Sequence, residues 1–167
     1  VRETVWASCS VVEGMELEAD RAFPYETGGV LAGYTSEKGI PVICAFTGPG
    51  PNARHDFIHF EPDHDWQCEQ LEEIYLKSSG LMTYLGDWHT HPNGLAKMSR
   101  IDKKTLRRIA EHREAQCDFP LMMIGGGCSR SWQWACHRYL GRDMWGLIAK
   151  YRRANLKTFD VDEWESA

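Results

Sequence analysis

The 167-residue chain is 43% hydrophobic and 26% charged, which suits one domain with a substantial core and leaves no room for several. Its 7 Trp, 6 Tyr and 6 Phe argue against disorder. A net charge of −5 disfavours nucleic acid and anionic membranes as partners. The six cysteines (9, 44, 68, 117, 128 and 136) form no Cys-x-x-Cys pair, which points to free thiols in a reducing compartment. Four glutamates and an aspartate within Val1–Asp20 leave no apolar signal-peptide core, and no run approaches the ~20 apolar residues of a spanning helix. A cytoplasmic protein is expected.

In chain order, the patterning predicts a strand at Thr4–Ser8 and a helix from Ser10 to Ala22, with Val12, Met15, Ala19 and Ala22 on one face. Pro24 ends that helix. Glu26-Thr27-Gly28-Gly29 reads as a turn into a strand at Val30–Tyr34, and Lys38-Gly39 as a hairpin turn into Pro41–Phe46. A Gly/Pro loop over Gly48–Ala53, a short strand at Asp56–Phe60 and a helix from Pro62 to Lys77 follow. Next come a strand at Met82–His89, a turn at Pro92-Asn93-Gly94 and a helix at Ser99–Arg113. Leu121–Ile124 and Trp132–Tyr139 read as strands joined by a Gly125-Gly126-Gly127 turn. Met144–Phe159 fits helix or strand, and Asp160–Ala167 reads as an acidic, frayed tail. Strands interleaved with three helices give an α/β or α+β sandwich.

The chemistry concentrates in Gly86-Asp87-Trp88-His89-Thr90-His91-Pro92 and Ser99-Arg100-Ile101-Asp102. Side chains alternate along a strand, so His89 and His91 face the same way, with Cα atoms ~6.5 Å apart. Two imidazoles at that spacing can converge on one ion, and Asp102 can join them if Pro92–Met98 folds back. Two His and one carboxylate, with the fourth position left to solvent, is the donor set of a catalytic zinc. A bare His-x-His means little, since seven histidines give roughly 0.25 such pairs by chance. Ser99-x-x-Asp102 alone reads as a helix capping box. The joint pattern His-x-His-x(7)-Ser-x(2)-Asp is far more specific, and capping is compatible with ligation. A hydrolytic zinc also needs a base that is not itself a ligand, and Glu26, beside two glycines, is the candidate.

These residues resemble the JAMM (MPN-plus) zinc metalloisopeptidases, whose pattern is Glu, then His-x-His-x(7)-Ser-x(2)-Asp, filled here by Glu26, His89, His91, Ser99 and Asp102. The phrases Glu26-Thr27-Gly28-Gly29-Val30-Leu31-Ala32-Gly33 and Gly86-Asp87-Trp88-His89-Thr90-His91-Pro92 resemble the prokaryotic JAB branch. The resemblance covers about Thr4 to Tyr139. It implies a cytidine-deaminase-like twisted sheet flanked by helices over residues 1–140, with 141–167 as a C-terminal extension of the same domain. It further implies one Zn²⁺ per chain held by His89, His91 and Asp102, with Glu26 taking the proton of the attacking water and Ser99 stabilising the oxyanion. The reaction it implies is cleavage after the C-terminal glycine of a ubiquitin-like protein, its tail held as an added strand. Conjugating- or activating-enzyme-like proteins are the implied companions. Processing of a sulfur-carrier protein and a non-catalytic scaffold are the alternatives. The ~16 residues between Asp102 and Phe119 hold one helix, with no room for an insertion that grips a second ubiquitin.

Other features carry less. Arg100, Lys103, Lys104, Arg107, Arg108 and Arg113 form a solvated helix face or a dock for an acidic partner. His55, His59 and His64 lack ligand spacing. Cys136 and His137 are strand neighbours that point apart, which argues against a thiol nucleophile. Trp88 faces away from the two histidines and is expected in the core.

Overall fold

The computed structural model describes residues 3–57 and 60–160. Ten strands and three main helices follow in order: β1 (Thr4–Ser8), α1 (Cys9–Ala22), β2 (Gly28–Thr35), β3 (Pro41–Phe46), β4 (Arg54–His55), β5 (Phe60–Glu61), α2 (His64–Lys77), β6 (Thr83–Pro92), α3 (Arg100–Glu111), β7 (Leu121–Cys128), β8 (Ser131–Arg142), β9 (Ala149–Arg153) and β10 (Asn155–Phe159). Eight strands form one mixed, curled sheet in the order β10-β1-β3-β2-β6-β7-β8-β9, while β4 and β5 make a separate ribbon. No helix of the described residues is long and apolar enough to cross a membrane.

The sheet is buried on both faces, as the continuous apolar run Leu121-Met122-Met123-Ile124 requires. Leu121 and Met123 join Val5, Val11, Met15, Leu31, Ile43 and Trp88 under α1. Met122 and Ile124 point the other way and pack with Leu106 of α3 and Tyr139 of β8. The buried stripe of α1 is Val11, Met15 and Ala19, so Met15 and Ala19 lie as expected, while Val11 takes the place expected of Val12 and Ala22 is half-buried.

The parallel pair β6–β7 is joined across α3, as parallel neighbours need a crossover. That connection brings the start of α3 to the carboxyl end of β6, where open α/β sheets place their ligands.

Several expected boundaries move. The strand expected from Val30 begins at Gly28, and the helix expected from Pro62 begins at His64 behind an Asp63 cap. The strand expected at Met82–His89 runs on to Pro92 and carries both histidines. The strand expected at Asp56–Phe60 is instead the two arms β4 and β5, whose connection includes residues 58–59, outside the described residues. Met144–Phe159 resolves into strands β9 and β10, the latter parallel to β1. The expected acidic tail falls, apart from Asp160, outside the described residues.

Gly125-Gly126-Gly127 is strand rather than turn; the chain reverses at Ser129-Arg130. Here the glycines serve close approach. A Cβ at Gly126 would lie 2.2 Å from the Ala96 nitrogen, so only glycine lets the 93–99 segment settle on β7.

Candidate metal centre

His89 and His91 sit at the end of β6; His89 has backbone partners in both β2 and β7, and His91 has one in β7. Trp88 and Thr90, alternating with them, are wholly buried on the opposite face. Trp88 packs edge-on against Phe46 and Trp134, and its indole N–H donates to the Thr47 carbonyl at 2.9 Å. This anchoring fixes the direction of both imidazoles through the strand's period of two.

Asp102 arrives from the first turn of α3. Its Oδ2 accepts from the Ser99 N–H at 2.6 Å, and the Ser99 hydroxyl oxygen accepts from the Asp102 N–H at 3.1 Å. The capping box expected from Ser99-x-x-Asp102 is thus present, and the same carboxylate turns its oxygens to the histidines. His89 Nε2 lies 3.0 Å from His91 Nε2 and 3.3 Å from Asp102 Oδ1; His91 Nε2 lies 3.7 Å from Asp102 Oδ2. A tetrahedral ion with ~2.0–2.1 Å bonds needs donors roughly 3.3–3.4 Å apart, so these spacings fit a divalent cation. His91 Nδ1 is 3.0 Å from the Leu95 carbonyl. Donation of that N–H leaves the Nε2 lone pair facing the cluster. The 93–99 segment is therefore both the connection to α3 and the outer support of a donor.

The electrostatics suit a cation. Burial lowers the pKa of His91, and the neighbouring His89 charge lowers it further. Burial pulls the Asp102 carboxyl upward, but bonding from His89, the His89 charge and the Ser99 bonds outweigh it and hold Asp102 well below the usual carboxylate range. Burial favours the neutral, metal-binding form of His91, and the Ser99 bonds favour the ionised form of Asp102.

Glu26 precedes β2. The Thr27 N–H donates to the Thr90 hydroxyl at 3.0 Å, and the Thr90 N–H to the Thr27 carbonyl at 2.9 Å, which continues the Gly28–His89 pairing. That register sets Glu26 across from His91 and on its face. The Glu26 N–H donates to the Asp56 carbonyl, and His55 Nδ1 lies 2.9 Å from the Glu26 carbonyl. Gly28 is required beside it: a Cβ there would stand 2.3 Å from the Trp88 carbonyl oxygen and 3.0 Å from the His89 Cβ. Glu26, His89, His91, Ser99 and Asp102 all border one cleft of about 390 Å³.

Sequence reasoning did not single out Asp87, Gln67 or Phe60, which also line this cleft. Asp87 was legible, since it lies two residues before His89 on the same strand face. Burial raises its pKa against a 2.7 Å hydrogen bond from the Tyr84 hydroxyl. Gln67 and Phe60 come from elements whose packing no local pattern announced. His64 contacts Cys68 instead of a second metal cluster, and His59 lies outside the described residues. Cys136 is buried under α1, its thiol pushed up to about 12 by burial, which is not the state of a nucleophile.

A curled mixed sheet with two strand histidines and a helix-capping aspartate around one cleft is a framework that a hydrolytic metalloenzyme can use. The chain belongs to the prokaryotic homologs of the JAB domain, whose profile matches residues 10–137. It is 34% identical over 139 residues to the probable metalloprotease y4qB of Sinorhizobium fredii, covering 83% of this chain and 84% of that one. It is 30% identical over 127 residues to a CD-NTase/cGAS isopeptidase of Enterobacter hormaechei, covering 74% and 68%. A solution structure of a protein from Desulfitobacterium hafniense shares the fold, with a TM-score of 0.64 at 19% identity over 95% of this chain and 96% of that one.

Proposed function

We propose that this protein is a zinc-dependent isopeptidase or peptidase that cleaves after the C-terminal glycine of a ubiquitin-like protein. The observation that carries the reading is the convergence of His89, His91 and Asp102 donor atoms at 3.0–3.7 Å. In this reading those three residues hold the ion. Bound there, Zn²⁺ would supply Lewis acidity to a carbonyl and bring the pKa of water toward ~7. Glu26, across from His91, accepts the proton of the attacking water and returns it to the leaving amine. The Ser99 oxygen is occupied as an acceptor of the Asp102 N–H, which leaves its hydroxyl hydrogen to donate to the oxyanion. No side chain bonds covalently to substrate.

A relative named as a CD-NTase/cGAS isopeptidase supports a protein substrate joined through an amide, and companions resembling conjugating or activating enzymes fit that setting. The six free thiols suit the reducing cytoplasm. The test pairs metal analysis with hydrolysis of ubiquitin-like tails fused to a reporter. One zinc per chain and release of the reporter after the terminal glycine are expected. Stoichiometric zinc with cleavage only of sulfur-carrier tails would narrow the partner. Absence of metal after zinc-replete purification would reject the enzyme in favour of a scaffold.

A further inference from the structure

On the α3 side of the sheet a second cavity, of about 240 Å³, is lined by Met98, Lys103, His137, Tyr151, Arg152 and Arg153. His137 of β8 pairs directly with Arg153 of β9, so their side chains share a face. Lys103 comes from α3. Its carbonyl accepts from the Tyr151 hydroxyl at 2.7 Å, and its ammonium stands 6.0 Å from the Tyr151 ring centre. His137 is only 9% exposed, yet its Nε2 is buried without a hydrogen-bond partner. Among the described residues, neither Lys103 nor Arg153 has a carboxylate in ion-pair contact. With Arg152, which likewise has no ion pair among the described residues, three cations and a buried ring nitrogen without a partner surround one cavity, a setting that suits an anion.

We propose that this cavity binds a phosphate-class dianion through Lys103, Arg153 and His137. Three cations at the rim favour a dianion, whereas a single carboxylate would leave two of them uncompensated. A tetrahedral oxyanion also offers acceptors toward α3, β8 and β9 at once, which a planar carboxylate does not. Burial lowers the pKa of His137, the Ala96 backbone opposes this, and Arg153 and Lys103 lower it further against Asp102. A dianion reverses the effect of those two cations, so binding draws a proton onto the ring and Nε2–H becomes a third donor. Lys103 directly follows Asp102 in α3, so occupancy also ties the start of that helix to β9. The inference is independent of the hydrolytic reading.

The full chain is titrated with inorganic phosphate, and separately with chloride and acetate at matched ionic strength. The His137 ring resonances and the melting temperature are followed. One saturable phosphate site is expected, with the His137 pKa rising by at least about one unit. The substitutions Lys103→Gln and Arg153→Gln, both at exposed positions, each weaken binding about tenfold, the scale of one charge-assisted contact. A phosphoserine peptide that displaces phosphate identifies a phosphorylated protein as the source, and failure to displace it identifies free phosphate. The proposal falls if chloride or acetate acts as strongly as phosphate. It falls equally if the response survives both substitutions, as phosphate meeting the His89–His91–Asp102 cluster would.

Discussion

The candidate metal centre is built from two unlike halves. The strand half, His89 and His91, stands on an interior strand whose backbone is paired on both sides and whose alternate residues are wholly buried. The helix half, Ser99 and Asp102, is held by a capping box and by a segment laid on the glycines of β7. The strand half owes its geometry to the core. The helix half owes its geometry to a few polar contacts. A donor fixed by the sheet should be removable without harm to the fold, whereas a donor on the helix should not.

The sharpest break is at the donors. His89→Ala should lower zinc affinity by more than about 100-fold, beyond what loss of an outer partner costs, and abolish hydrolysis while the melting profile of the metal-free protein is kept. Asp102→Ala should lose metal equally but also fray the start of α3, seen as faster amide exchange over residues 100–103. Equal exchange in the two variants would dissolve the distinction between the halves. Glu26→Gln should retain stoichiometric zinc and lose about 10²–10⁴-fold in turnover, since it removes the proposed base and spares the proposed donors.

Smaller effects sharpen the contrast. Gly126→Ala places a methyl against the Ala96 nitrogen. It should cost about 1–3 kcal/mol in denaturant titration and weaken zinc through displacement of the Leu95 carbonyl from His91. Ser99→Ala should cost about 1 kcal/mol as a lost cap, with a fall in turnover at unchanged zinc content. The mildest test is pH. The Asp102 carboxyl is held below its unfolded value of about 3.9, so its contribution is complete above that pH and is lost as pH falls toward its folded pKa. Acid titration of the metal-free Asp102→Asn variant should therefore show a flatter loss of stability below pH ~4 than the parent.

How much of this was legible in the sequence follows the same division. The strand donors could be read because a period of two needs no knowledge of the rest of the fold. Asp102 could be read because a capping box is local, although its turn toward the histidines depends on the 93–99 segment folding back. What makes that fold-back possible, Gly126, sits in a glycine run that reads as a turn; the same residue type serves tight reversal and close backbone approach, and only tertiary packing separates the two. Gln67 and Phe60 carried no periodic signal. Met144–Phe159 stayed ambiguous because β9 and β10 are short, and β10 is fixed by pairing with β1 at the far end of the chain.

That last pairing has a consequence for how the molecule comes into being. Thr4 lies beside Asn155 and Ser8 beside Phe159, so β1 is flanked by a strand that follows it only after all the other strands of the sheet. As the nascent chain emerges, one edge of β1 must wait, bare, until β10 has been made. Closing so long a loop is slow by nature, and assembly of this sheet can finish only after translation has passed the final strand.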